Sequence, residues 1–223
     1  MPEESSAGAP LEGLSAIADA VRARLEARYA AREVALGDCR QATRHAANAI
    51  RALHRSEFAA ARDLLAQARQ LLAQVRRALA GHPDLFHAGF VHDAQKEFAE
   101  ASLTLAVVAG ERLPSPPELA VEDAAYLNGL GEAVGELRRY TLDSLRSGGV
   151  ARAEAVLAAM DEMYGVLVTM DYPDAMTGGL RRTTDMVRGV LERTRGDLTM
   201  ASLQRELTQR LDHLRDRLRG GGQ

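Results

Sequence analysis

Apolar residues recur three and four positions apart along nearly the whole of this 223-residue chain, and that spacing leaves few folds open. Ala42, Ala46, Ile50 and Leu53 form one stripe. Leu64, Leu71, Leu72 and Val75 form a second, and Phe90, Ala94, Phe98 and Ala101 a third. Each residue advances about 100° around an α-helix, so each set falls on one helical face. No run of β-branched residues bounded by turn signals competes for a strand. The apolar set, 46% of the chain, is dominated by Ala and Leu, with 4% aromatics and no Trp. Ala costs least in a helix, and small faces let helices approach closely. The expectation is an all-α fold.

Gly, Pro and polar punctuation divides the pattern into about seven helices. The segments expected are Leu11 to His54 with a soft spot at Gly37, Phe58 to Leu79 behind an N-cap Ser56, and Asp84 to Val108. A proline-rich loop with Pro114, Pro116 and Pro117 precedes Ala120 to Leu145 and Ala151 to Thr169. Leu180 to Arg195 and a last helix from about Thr199 complete the set. Short links make neighbours antiparallel, which predicts a single helical-bundle domain over 10–218. A disordered leader over 1–9 and a flexible tail over 219–223 flank it.

The net charge of −3 lacks the basic excess of a dedicated DNA-binding domain, although a local positive patch is enough to hold phosphate. One cysteine, Cys39, excludes an internal disulfide and fits a reducing compartment. The first residues lack a basic-then-apolar secretory pattern, and no apolar run reaches membrane-spanning length. A cytoplasmic, non-membrane protein is expected.

Arg40, Arg44, Arg51 and Arg55 are four, seven and four residues apart and share one side of the first helix, opposite its apolar stripe. Arg62, Arg69 and Arg76 repeat the theme at heptad spacing on the second. Guanidinium groups make forked bonds to phosphate, so two such rows could follow a nucleic-acid backbone without reading its sequence. Periodicity alone favours the blander reading of solvated faces. No interleaved aromatics supply stacking platforms.

Acids cluster at two places. Asp93, Glu97 and Glu100 occupy neighbouring turns of one helical side, with Glu97 at the margin of the apolar stripe. Glu132 and Glu136 form an i,i+4 pair flanked by Gly131 and Gly135, whose cost in helix propensity suggests close approach by another backbone or a ligand. Hard oxygen ligands on facing helices would suit Mg²⁺ or Mn²⁺. Helical-wheel position also allows Glu132 and Glu136 to be wet surface acids, because they lie opposite Tyr126, Leu130 and Leu137. Di-iron chemistry wants Glu-x-x-His on two helices, and the sequence lacks that motif. His45, His54, His82, His87, His92 and His213 show no ligand spacing, though His54 lies beside the arginine row and could help contact phosphate. Cys39 has no ordered Cys/His arrangement around it, so thiol catalysis is a poor reading.

Several stretches carry a resemblance. Arg32 to Arg55, ending Leu-His-Arg, looks like the first-helix segment of translin-family proteins. Gln95 to Ala101, QKEFAEA, resembles the Gln-Glu-aromatic-x-Glu-Ala element of translin-associated factor X, with Lys96 inserted. YLNGLGEAVGEL at Tyr126 to Leu137 is similar to its next helix. GLRRTTDMVRGVLERTRGDLT at Gly179 to Thr199 is the most specific match. The similarity spans about residues 20 to 217.

The resemblance implies a translin-like bundle of about seven helices that assembles into hollow homo-oligomers, commonly octamers, and binds single-stranded RNA and single-stranded DNA. It implies metal-dependent endoribonuclease activity, with Glu97, Glu100, Glu132 and Glu136 as catalytic and Mg²⁺- or Mn²⁺-binding residues. Glu132 stands where the family pattern has aspartate, a longer side chain that moves the ligand oxygen. Arg40, Arg44, Arg51, His54 and Arg55 would hold the strand. A binding-only oligomer, a bundle with neither activity and a need for a second subunit type remain open alternatives.

Overall fold

A computed structural model describes residues 11 and 13–220. The leader expected over 1–9 and the end of the tail expected over 219–223 lie outside the described residues. Among the described residues, six long helices form the body: α1 Leu14–His54, α2 Phe58–Ala78, α4 Gly89–Ala109, α6 Asp123–Arg146, α7 Val150–Val168 and α9 Leu180–Gly220. Three single turns, α3 Pro83–Phe86, α5 Pro116–Leu119 and α8 Asp174–Thr177, sit in the connections. The fold is an all-α bundle, and no strand occurs among the described residues.

Three boundaries differ from expectation. The segments expected to part near Thr199 are one continuous helix, α9, because Gly196 keeps helical geometry and no proline follows it. The helix expected from Asp84 breaks at Ala88, whose backbone is extended (φ −76°, ψ 152°). The break turns Leu85 and Phe86 against the core, with the Arg76 guanidinium 5.7 Å above the Phe86 ring. Ser56 does not cap α2. It closes α1 in the left-handed conformation (φ 61°), where its N–H donates to the Leu53 carbonyl and that of Glu57 to Ala52, both at 2.9 Å.

Packing runs α2 on α1, α1 on α4, α4 on α6, and α6 on both α7 and α9. Where α1 and α2 join the core, Ala35, Ala42, Ala46, Ala49, Ala61 and Ala68 are all fully buried, and Ala99 of α4 faces α6. Bulk enters further along, through Phe98, Leu103, Leu137, Met160, Leu167 and Leu191. Small residues at the first contacts let α4 be enclosed on several sides: Phe98 to Ala106 is buried without interruption. That enclosure carries Glu100 into the interior.

Arg62, Arg69 and Arg76 of α2 are committed to the fold. Arg62 pairs with Glu111 at 2.5 Å, while Arg69 and Arg76 donate to the carbonyls of Glu118 and Ala120 at 2.8 and 2.9 Å. They fasten the 110–122 connection to the bundle, so the second row, for which phosphate contact is the less favoured reading of the periodicity, is a structural clamp. None of the described helices is long and apolar enough to cross a membrane.

Candidate metal centre

The α4–α6 crossing is set by Gly129. A Cβ there would lie 2.7 Å from the Lys96 carbonyl oxygen and 2.9 Å from both the Ala99 Cβ and the Glu100 nitrogen. Only a glycine lets the two backbones meet at that point. Gly131 is tight as well, against Thr183 of α9, whereas Gly135 faces open space. The close approach expected at Gly131 and Gly135 is therefore found at Gly129 and Gly131.

This crossing brings the two acidic groups together. Glu97 and Glu100 of α4 and Glu132 of α6 each offer a carboxylate oxygen, and the three oxygens lie within 4.8 Å of one another. Glu100 is 9% exposed. Burial is the largest influence on its carboxyl, followed by the charges of Glu97, Glu132 and Glu136, and together they push it up to about 8. Burial also raises Glu97, although Lys96 pulls the other way. Glu132 is neither core nor wet surface: its side chain is 30% exposed and turned to α4. Three carboxylates held this close repel unless protons or cations intervene. The donors are hard oxygens, which fit Mg²⁺ or Mn²⁺ better than a softer ion.

Glu136 occupies the next turn. Its Oε2 lies 2.5 Å from His54 Nε2, and because a carboxylate only accepts, the ring nitrogen donates. His54 is thus turned away from the arginine row, with its side chain 6% exposed and its Nδ1 buried without a protein partner. Arg40, Arg44, Arg51 and Arg55 remain on the open side of α1. Arg51 leans on Asn48 at 2.7 Å, and Arg55 forks onto Glu57 at 2.9 and 2.7 Å. Asp93 is exposed and stays outside the three-oxygen cluster.

Two participants escaped the sequence reading. Lys96 Nζ donates to Glu132 Oε1 at 2.7 Å and lies 4.0 Å from Glu97 Oε1. Asn128, buried one turn before Glu132, donates to the carbonyls of Ala124 and Thr177 at 2.9 and 2.7 Å and accepts from Thr183 Oγ1 at 2.8 Å. It ties α8 and α9 to the helix that carries Glu132. A polar amide inside an otherwise apolar stretch was the available signal for Asn128. Lys96 gave none, because its partner is on another helix.

A cavity of about 940 Å³ lies elsewhere, between α6 and α7. Tyr126, Leu127, Met163, Val166 and Met176 line it, and none of the clustered glutamates does. Cys39 is buried, and burial and then the Asp38 charge push its thiol up to about 12, away from the thiolate that nucleophilic chemistry needs.

No family model matches the sequence. An uncharacterised protein of Methanocaldococcus jannaschii is 30% identical over 168 residues, 75% of this chain and 74% of that one. The fold matches AfC3PO in its complex with duplex RNA at a TM-score of 0.79 and 35% identity, covering 84% of this chain and 97% of that one. AfC3PO alone matches at 0.78 and 34%, with the same coverage. Apo-NeC3PO matches at 0.73 over 87% of this chain and the whole of that one, and at 18% identity the likeness is one of fold. The near-complete overlap at about one-third identity, together with the translin-like stretches on α1, α4, α6 and α9, places this chain in the translin family, alongside the C3PO proteins.

Proposed function

We propose that this chain binds single-stranded RNA and cleaves it as a metal-dependent endoribonuclease inside a homo-oligomer. The observation that carries the reading is the cluster of Glu97, Glu100 and Glu132, one of them buried, drawn from two helices to within 4.8 Å. Such a site is costly to assemble without a ligand. These three residues would hold Mg²⁺ or Mn²⁺, which supplies a water of lowered pKa and neutralises charge at phosphorus. The chain's own contribution is placement. Gly129 sets the oxygen spacing, Asn128 steadies α6, and His54 orients the Glu136 carboxylate beside the cluster, where it can accept a proton from an attacking water. The exposed Arg40, Arg44, Arg51 and Arg55 would hold the strand through its phosphates, with single-stranded DNA as a second ligand of the same face.

Exposed apolar stripes at the free ends of α1 and α9 support assembly with further copies, and an octamer is the expected size. A heterologous second subunit is not needed for the cluster, since all three ligands come from one chain.

The test is cleavage of end-labelled single-stranded RNA, with a duplex beside it because AfC3PO is described with duplex RNA. Mg²⁺, Mn²⁺ and EDTA are compared across wild type, Glu97→Ala and Glu132→Ala. Metal-dependent cutting should fall by at least about 100-fold in both variants while binding and assembly persist. Undiminished cutting would discard the site. Firm binding without cutting in the wild type would leave a single-strand-binding oligomer, a reading that the Lys96–Glu132 pair also favours because it already gives the cluster a cation.

A further inference from the structure

The acidic cluster holds a cation of its own. Lys96 reaches across the α4–α6 crossing to Glu132, and its side chain is 20% exposed. Gly129 closes on the Lys96 carbonyl, so the root of this side chain is fixed, while the four-carbon stem beyond it carries rotatable bonds. The ammonium sits on an oxygen of one of the three carboxylates that would hold the divalent ion.

We propose that Lys96 is an exchangeable counter-cation: it holds Glu132 in the cluster before metal binds, is displaced by the arriving ion, and then turns to a phosphate of the bound strand. This rests on the metal-centre reading above. An ammonium and a dication a few ångströms apart repel, and both demand Glu132. A divalent ion can take an oxygen from all three carboxylates at once, whereas the Lys96 ammonium bonds Glu132 alone and stands 4.0 Å from Glu97, so the exchange runs towards metal when metal is abundant. The displaced ammonium then loses its direct bond to Glu132 and keeps only the looser attraction of Asp93 and of Glu97, which it shares with the ion. The nearest anion to arrive is a backbone phosphate. The same competition weakens metal binding relative to a bare glutamate triad, and so tunes the site to ion concentration.

Mn²⁺ binding to the full-length, assembled protein, followed by electron paramagnetic resonance, tests the displacement. Lys96→Met should bind Mn²⁺ about tenfold more tightly than wild type, the scale of one lost neighbouring charge, and Lys96→Arg should not. Equal or weaker Mn²⁺ binding by Lys96→Met overturns the proposal. Lys96→Gln carries the same test should the methionine variant fail to assemble. The phosphate step is read from affinity for a short single-stranded RNA, with Ca²⁺ as the loading ion and strand integrity checked on a gel. Lys96→Met should lower that affinity about threefold or more with Ca²⁺ and leave it unchanged in EDTA, where the wild-type ammonium is held by Glu132. An equal loss in both conditions makes Lys96 an ordinary phosphate contact and overturns the exchange. A wild-type chain that binds Mn²⁺ but cuts no RNA removes the nuclease reading and leaves the displacement decided by the Mn²⁺ comparison.

Discussion

Glu100 concentrates the chemistry at the scale of single residues. Its carboxyl is raised from 4.5 to about 8, first by burial and then by its acidic neighbours. A raised pKa means that the folded state binds the proton more tightly than the unfolded chain. Its contribution to stability is therefore full below about pH 4.5 and is lost as pH rises through about 8. In EDTA, the melting temperature of wild type should decline across that window, and Glu100→Gln should flatten the decline. A variant that declines as steeply as wild type would place the effect elsewhere. Metal works in the opposite direction, because it needs the carboxylate, so Mn²⁺ affinity should rise towards pH 8 in wild type. The spacing of Asp93, Glu97 and Glu100 was legible in the sequence as one side of a helix. Which of them is buried was not, because burial of Glu100 depends on what α6 places over α4.

Between elements, glycines show most clearly what periodicity leaves open. Gly129, Gly131 and Gly135 all interrupt the same helix, and each costs helix propensity. Only the structure separates them. Gly129→Ala drives a methyl into the α4 backbone and should destabilise by about 1–3 kcal/mol or more, with loss of metal binding as the crossing opens. Gly135→Ala fills open space on a helix and should stabilise by about 0.5–1 kcal/mol. Urea denaturation of the two variants distinguishes them by sign, and a neutral Gly129→Ala would mean that the crossing is not fixed by this contact. The arginine rows make the same point. Arg40 and Arg62 look alike on a helical wheel, yet the first stays on an open face and the second is clamped to Glu111 across the bundle.

In the whole molecule, two helices outrun the core that the chain can build for them. The start of α1 exposes Leu14, Ile17, Val21, Leu25 and Tyr29, and the last half of α9 exposes Leu203, Leu207, Leu211 and Leu214. These residues recur at helical spacing, so each set is a continuous apolar stripe that a monomer leaves in water. Replacing Leu203, Leu207 and Leu211 together by Ser should reduce the assembled mass in sedimentation velocity and leave helicity nearly unchanged. Unaltered assembly would move the contact to the exposed stripe of α1. Because the Glu97–Glu100–Glu132 cluster forms within one chain, Mn²⁺ binding should outlast such dissociation.

The helical class, the order of the main helices, their apolar faces and the presence of two acidic groups follow from sequence alone, because hydrogen bonding and side-chain direction within a helix are local; the break at Ala88 and the continuity of α9 through Gly196 did not. Periodicity assigns a residue to a face but says nothing about which other helix meets that face, or at what depth. The joining of Glu97 and Glu100 to Glu132, the turning of His54 to Glu136 and the Lys96 bridge were all decided by the α4–α6 and α1–α6 contacts. Those contacts are set by where side chains are small enough for backbones to meet, and the distances that make the site exist only after they have met.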